Sequence, residues 1–491
     1  MQESPRSTLV GSRPLVWRVV DAGSQVILRP VTAGSFQGRV SKAERWLEER
    51  EITFGVPFLV GFGENHTDDL VLRRAALNLG AVPITVNWQA DTLDMLMLKA
   101  QIASSSKLVV HTSFRSIDLD AIAQERPELE IHRLDGFDGD REPREQSFVP
   151  RAEVGDPNLD QVVIFTSGTT GQPKGVRLSR RAYEVNAAIF EKLLDLEAAE
   201  PVRLVLVNPL YHANSTAMAD FALRRPNTDI VLIPRYSGEY WACLEAACQG
   251  FEGKVIAPAV SRHFEFLDNL LQSSKLEMTS ELDRALRRTR FLVGSAPVGP
   301  ETLARFVRLT GRPPQVRFGS TELCLQALGI PPHLDAECVK ETFARGVEAS
   351  ERPGGQAGYY IGRPHPPHTD ARVVRGVTHG ADDFLEPAGE GELGFLVVRS
   401  DCVMTGYTGN PEATEAAIQD EWYLGLGDMA FWLGSRDGGA RDYFWVSRTA
   451  GLMIRGGSNY SCQQVEAELT EFVSNSFALD AQDFELAVVG E

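Results

Sequence analysis

At 491 residues the chain exceeds one ordinary hydrophobic core and is expected to hold two or more domains. Its 43% apolar and 24% charged residues fall in the range of soluble globular enzymes, and no uninterrupted apolar run is long enough to span a bilayer, which argues against a membrane-spanning protein. A formal charge of −18 argues against a general nucleic-acid binder, because affinity for phosphate backbones comes from Lys and Arg patches that release counterions. Any bound nucleotide must therefore be held locally.

In chain order, Arg6, Arg13 and Arg18 with neighbouring serines keep organelle import open beside a cytoplasmic location, although Glu3 interrupts the pattern and no secretory apolar stretch is present. The sequons at Asn65, Asn214 and Asn459 carry no weight without such a signal. Apolar runs at 58–60 and 108–110 alternate with helical patterns over 68–79 and 91–102, which predicts a layered α/β unit over about 1–180. A second α/β block is expected over about 181–345, with strands at 203–207, 230–233, 254–256 and 290–293. A helix is predicted over 180–196, with Ala182, Val185, Ile189, Leu193 and Leu196 on one face behind a Ser179 cap.

From about 346 to 447 the texture changes to Gly, Pro and short β-prone runs, including 371–374 and 392–398, which predicts a small β-rich subdomain completing a large domain over 1–447. A new unit opens at Arg448 with a Gly456-Gly457 turn, a helix over 463–473 and a strand over 485–489. Roughly forty residues cannot make an independent core, so 448–491 reads as the start of a truncated C-terminal domain. The six cysteines, at 243, 248, 324, 338, 402 and 462, lack Cys-x-x-Cys spacing and read as reduced packing thiols. His365-Pro366-Pro367-His368 invites a metal reading, but two prolines stiffen the pair and no carboxylate is close in sequence.

Residues 166–175 read Thr-Ser-Gly-Thr-Thr-Gly-Gln-Pro-Lys-Gly between strand-like runs at 161–166 and 176–178. Glycines let successive backbone N–H groups turn toward one anion, the hydroxyls of Thr166, Ser167, Thr169 and Thr170 add donors, and Lys174 adds charge. Those are the parts a triphosphate needs. A Walker loop would read Gly-Lys-Ser/Thr and open into a helix, whereas here Lys precedes Gly and a strand follows.

The loop resembles the phosphate-binding signature of the adenylate-forming superfamily of acyl-CoA synthetases, peptide-synthetase adenylation domains and luciferases, and matching segments follow in order from about residue 55 to 490. The resemblance implies an α/β fold with a large N-terminal domain of two α/β sheet subdomains plus a small β-barrel-like subdomain, then a small α+β C-terminal domain. It implies ATP-dependent activation of a carboxylic acid through an acyl-adenylate, with Mg²⁺ as cofactor and CoA as the acceptor thiol. A carrier-protein thiol is the alternative acceptor, and a non-catalytic acyl or nucleotide sensor is the alternative function.

Residue by residue, the resemblance places Thr166, Ser167, Gly168, Thr169, Thr170, Gly171 and Lys174 on the β- and γ-phosphates. Arg317-Phe318-Gly319-Ser320-Thr321-Glu322 resembles the aromatic-Gly-x-Thr-Glu segment, in which Phe318 stacks on adenine, Gly319 allows close backbone approach, Thr321 donates to the α-phosphate and Glu322 ligates Mg²⁺. Ser295, Ala296 and Pro297 pass beside the adenine. Asp428 in Trp422-Tyr423-Leu424-Gly425-Leu426-Gly427-Asp428 would accept both ribose hydroxyls, and Arg448 would contact the ribose. The acyl pocket would draw on His212, Asn214, Ser215, Ala259, Gly294 and Gly319. Lys174, Thr321, Glu322 and His212 form the expected catalytic set. The Phe-Asp that adenylation domains use for an amino group is missing from 209–215, which argues against an amino-acid substrate.

Three departures stand out. Leu426 replaces a Thr, Gly451 replaces the charged hinge residue, and Ser458 replaces a Glu near the pantetheine path. The family's bridging Lys loop falls beyond Glu491, so this chain is expected to adenylate slowly.

Overall fold

Strands buried on both faces read as continuous apolar runs, and two sheets are built from such runs. The computed structural model describes residues 12–21, 26–115, 117–137, 155–167, 173–351, 355–449, 452–455 and 458–461, with helical positions at 466, 469–470, 472–473 and 476–477. The first sheet has seven strands, in the order Gly406–Tyr407, Pro173–Ser179, Asp160–Ser167, Val82–Thr85, Pro57–Gly61, Lys107–His111 and Glu130–Leu134. The five from Asp160–Ser167 onward run parallel, so helices must cross over between them.

One crossover helix, Thr67–Leu79, starts where the His66 ring accepts the Asp68 N–H and stops at Gly80, whose φ of 75° only glycine adopts without strain. The helix expected over 91–102 spans Leu93–Ile102 because Thr92 is its cap. Asp91 instead turns back to accept the Asn87 N–H at 2.7 Å and the Lys99 ammonium at 2.5 Å. The helix Arg180–Leu193 begins at Ser179, whose hydroxyl accepts the Ala182 N–H at 3.2 Å. It ends before the expected 196, where Asp195 takes a φ of 49° and turns the chain.

Among the described residues the second sheet has fifteen strands. Its parallel core is Thr228–Leu232, Val202–Leu206, Lys254–Ala259, Arg290–Val293 and Gln315–Phe318. The hairpin Pro14–Asp21 and Val26–Thr32 adds to one edge, with Val16 opposite Ile230, so the first described strands hydrogen-bond to the second sheet rather than the first. Beyond Gln315–Phe318 the ladder continues antiparallel through Leu328–Gly329, Tyr359–Pro364, Arg441–Arg448, Asp428–Gly434 and Gly394–Ser400. The β-rich stretch of the sequence is thus the extension of the same ladder, and it folds Asp428 and Arg448 back toward the parallel strands.

Asn65 ties the two sheets together. Its Nδ2 donates to the carbonyls of Val207, Asn208 and Ile233 at 3.0–3.2 Å, and its Oδ1 accepts the Leu210 N–H at 2.8 Å. At 3% exposure this side chain is a structural clamp and is closed to glycosylation. Cys243, Cys248, Cys324 and Cys402 are buried and free, Cys338 is half-buried, and Cys462 lies outside the described residues. The strands Leu452–Arg455 and Ser458–Ser461 pair antiparallel, whereas Gly451, Gly456, Gly457, 463–465 and 485–489 lie outside the described residues. Among the described residues no helix is long and apolar enough to cross a membrane.

Candidate active site

Parallel α/β sheets expose their binding crevice beyond the carboxyl ends of the strands, where the connections splay apart. Four consecutive parallel strands deliver their following loops to one cavity of about 660 Å³ here: 207–214 after Val202–Leu206, Val260 and His263 after Lys254–Ala259, 295–298 after Arg290–Val293, and 319–321 after Gln315–Phe318. Asp428, Trp445 and Arg448 close it from the antiparallel extension. The cavity gathers His212, Asn214, Ser295, Ala296, Pro297, Phe318, Gly319, Ser320, Thr321, Asp428 and Arg448 from segments more than two hundred residues apart.

The 318–325 turn is built for close backbone contact. A Cβ on Gly319 would stand 2.3 Å from the Leu325 carbonyl oxygen, so glycine is needed here for the chain's own turn. Cys324 and Leu325 both take positive φ, 48° and 99°, a strained arrangement held by the Leu325 N–H to Ser320 carbonyl bond at 3.0 Å. The turn leaves the Ser320 hydroxyl buried without a partner on the cavity wall.

Asp428 is 2% exposed. Its Oδ1 accepts the Trp445 indole N–H at 2.7 Å and pairs with the Arg448 guanidinium at 2.9 Å. Burial raises its carboxyl to about 6, against the opposing pull of Arg448 and Trp445, and the nearby Glu322 adds to the rise. Arg448 also donates to the Leu426 carbonyl at 3.1 Å, so the position where the family has a Thr serves through its backbone.

Lys174 and Glu322 do not line the cavity, and each approaches Tyr407. The Tyr407 hydroxyl donates to Glu322 Oε1 at 3.1 Å, and the Lys174 ammonium lies 4.9 Å from the centre of the same ring. Tyr407 is placed by pairing of Gly406–Tyr407 with Arg177 and Val176, and Thr408 N–H donates to the Gly175 carbonyl at 2.7 Å. A Cβ on Gly175 would stand 2.4 Å from Thr408 Cγ2, so the last glycine of the 166–175 loop is required by this contact. Thr166 pairs with Lys174 and the Ser167 backbone with Pro173, which makes the loop a hairpin. Gly168, Thr169, Thr170 and Gly171 lie outside the described residues.

His212 precedes the helix Ala213–Arg224 without capping it through its side chain, and its ring opens onto the cavity. Surrounding burial, then Lys99, lowers its pKa, so the imidazole is neutral at physiological pH. Ser215 does not line the cavity: it is fully buried and its hydroxyl donates to the Asn208 carbonyl at 2.7 Å. Ala259 is likewise buried within its strand, and Gly294 lies against Arg317 behind the wall.

Several lining residues carried no role in the sequence reading: Trp88, His263, Arg317 and Trp445. Arg317 was adjacent to a motif and Trp445 two positions before Ser447-Arg448, but only burial distinguishes them from ordinary strand residues. His66, Asp68 and His111 form a separate cluster with ligand atoms within 4.8 Å of one another. Nδ1 of each ring accepts a backbone N–H, which puts the neutral-state proton on Nε2 and closes both nitrogens to a metal.

The AMP-binding enzyme family matches residues 27–408. The chain is 27% identical to indoleacetate–CoA ligase of Aromatoleum aromaticum, over 83% of this chain and 72% of that one. It is 30% identical to the mitochondrial medium-chain acyl-CoA ligase ACSF2 of Bos taurus over 67% and 46%, and 28% identical to sulfoacetate–CoA ligase of Cupriavidus necator over 64% and 52%. It therefore spans about half the length of the latter two relatives. The fold matches ATP-bound MatB from Rhodopseudomonas palustris with a TM-score of 0.70 at 20% identity, covering 94% of this chain and 80% of that one. It matches the o-succinylbenzoate CoA synthetase MenE of Bacillus subtilis, in complex with its acyl-adenylate OSB-AMP, at 0.69 and 19%, covering 95% and 81%. With the family match spanning most of its length, the chain belongs to the AMP-binding enzyme family.

Proposed function

We propose that the chain activates a carboxylic acid with ATP, forming an acyl-adenylate and pyrophosphate, and then passes the acyl group to CoA. The observation that carries this reading is one cavity that joins a buried carboxylate beside a cation, Asp428 with Arg448, to the Phe318–Thr321 turn and the His212 segment. Asp428 would accept the ribose hydroxyls, Phe318 would stack on adenine and Thr321 would donate to the α-phosphate. His212 and Asn214 would border the acyl group.

The substrate carboxylate attacks the α-phosphorus as the bond to the leaving pyrophosphate breaks, and a CoA thiolate later attacks the acyl carbon and displaces AMP. Glu322 offers a hard oxygen ligand, which fits Mg²⁺ on the phosphates; the ion would neutralise their charge. Lys174 would hold the β- and γ-phosphates from the loop. The indoleacetate, sulfoacetate and medium-chain acyl-CoA ligase relatives support CoA as the acceptor.

Acid-dependent ATP/pyrophosphate exchange across fatty, aryl and small acids tests the reading, with exchange expected for one acid class. Tight ATP binding with no response to any acid would replace the enzyme with the nucleotide-sensor alternative.

A further inference from the structure

Arg317 lies on the cavity wall, 4% exposed, and neither its Nε nor its Nη2 has a hydrogen-bond partner. Among the described residues no carboxylate pairs with it. Burial alone acts on its charge and lowers the guanidinium to about 10, so it remains a cation at neutral pH. A buried guanidinium without a counter-ion is a costly arrangement that a fold does not need for itself, since an apolar side chain of similar volume would fill the same space.

A further observation points from this charge to a ligand. Gly294 packs against Arg317, where a Cβ would stand 3.0 Å from the Arg317 carbonyl oxygen and 3.2 Å from Cζ and Nη1, so glycine is what lets the guanidinium lie in this position. The nearby wall is polar: Asn208 and Asn214 present buried Oδ1 atoms without partners, and His263 a buried Nδ1 without one. Burial holds His263 at about 4, hence neutral, so it adds no competing cation. A purely aliphatic acyl chain would leave this whole set unsatisfied.

We infer that Arg317 recognises a second anionic group, a carboxylate or a sulfonate, at the far end of the acid that the enzyme activates. The substrate class is then a small dianionic acid, because the cavity of about 660 Å³ must also hold the nucleotide. This inference rests on the acid-activating reading above. Arg317 acts as a specificity residue: its planar fork takes two oxygens of the distal group while the other carboxylate faces Thr321.

The test compares each monocarboxylic acid with the dicarboxylic and the sulfonate-terminated acid of equal chain length. Pyrophosphate exchange is read alongside calorimetric binding of the same acids in the presence of ATP, so the preference is scored in binding as well as in exchange. The native chain is expected to favour the dianions by at least about 100-fold, and Arg317→Met to reduce that preference to about threefold or less. Arg317→Lys, which keeps the charge and loses the fork, should retain part of it.

A native chain that uses monoacids as well as diacids overturns the inference and leaves the proposed function standing. Arg317→Met losing every acid alike also overturns it, placing the guanidinium on the reacting carboxylate or the phosphate. So does a variant that keeps the preference. No acid bound or exchanged by the native chain defeats the proposed function together with the inference.

Discussion

Arg203 and Arg317 occupy strands of the same parallel sheet, both are buried, and their surroundings are opposite. Arg203 grips both oxygens of Asp229 at 2.8 Å, donates to the Ala247 carbonyl at 3.1 Å and lies 4.2 Å from the centre of the Phe251 ring. Trp17 from the N-terminal hairpin completes the set, donating to Asp229 Oδ2 at 3.1 Å. Arg317 has none of this. A charge whose partners come from the chain holds the fold together; a charge left bare on a cavity wall is kept for something that arrives later.

The sharpest way to break this comparison is to remove each charge in turn. Arg203→Met strands Asp229 in the interior, and a loss of about 3–5 kcal/mol is expected in chemical denaturation. Arg317→Met should leave the denaturation midpoint unchanged or raise it, since no buried partner is abandoned. Equal destabilisation by the two variants would show that Arg317 is structural.

A second contrast lies between Arg317 and the partnered pair Asp428–Arg448. Asp428 ordinarily titrates near 3.8 and is raised to about 6 in the folded chain. Between those values the folded state holds a proton that the unfolded state has released, so stability falls as pH rises from about 4 to about 6 and then levels. Nucleotide affinity should run the other way. It is full above about pH 7 and falls by up to about tenfold per pH unit below 6, because only the carboxylate accepts both ribose hydroxyls. Isothermal titration with ATP at several pH values reads this, and Asp428→Asn should flatten both profiles.

The smallest effect is expected at Tyr407. Tyr407→Phe removes the hydroxyl that donates to Glu322 and should cost about 1 kcal/mol of stability, with exchange lowered severalfold and the apparent affinity for Mg²⁺ altered. Unchanged metal dependence would separate Glu322 from the ion.

Much of this site was legible in the sequence because its parts are local. The 166–175 hairpin, the Phe318–Glu322 turn and the Asp428 segment are short runs whose composition carries their backbone geometry, and their order along the chain specifies a family. What Ser215, Ala259 and Gly294 do was less legible. All three belong to segments that reach the cavity, but which side of a strand or helix faces it depends on packing. Ser215 spends its hydroxyl on a backbone carbonyl, while its neighbour Asn214 lines the wall. Tyr407 brings its hydroxyl to Glu322 and its ring to the Lys174 ammonium, a relation between residues 85 and 233 positions apart that no local pattern encodes.

Several strands, the Ser179 cap, the phosphate-type loop and the family were legible in the sequence alone, since side-chain period, caps and motif order act within a few residues. Tertiary structure alone decided that the 14–32 hairpin pairs with Thr228–Leu232, that Asn65 is a clamp between sheets, that Asp428 is buried enough to titrate near 6, and that Nε and Nη2 of Arg317 have no hydrogen-bond partner among the described residues. Each of these depends on what the rest of the chain excludes or supplies around one residue. Burial and partner count are properties of the assembled interior, and they are what turn an arginine beside a motif into a candidate for choosing the substrate.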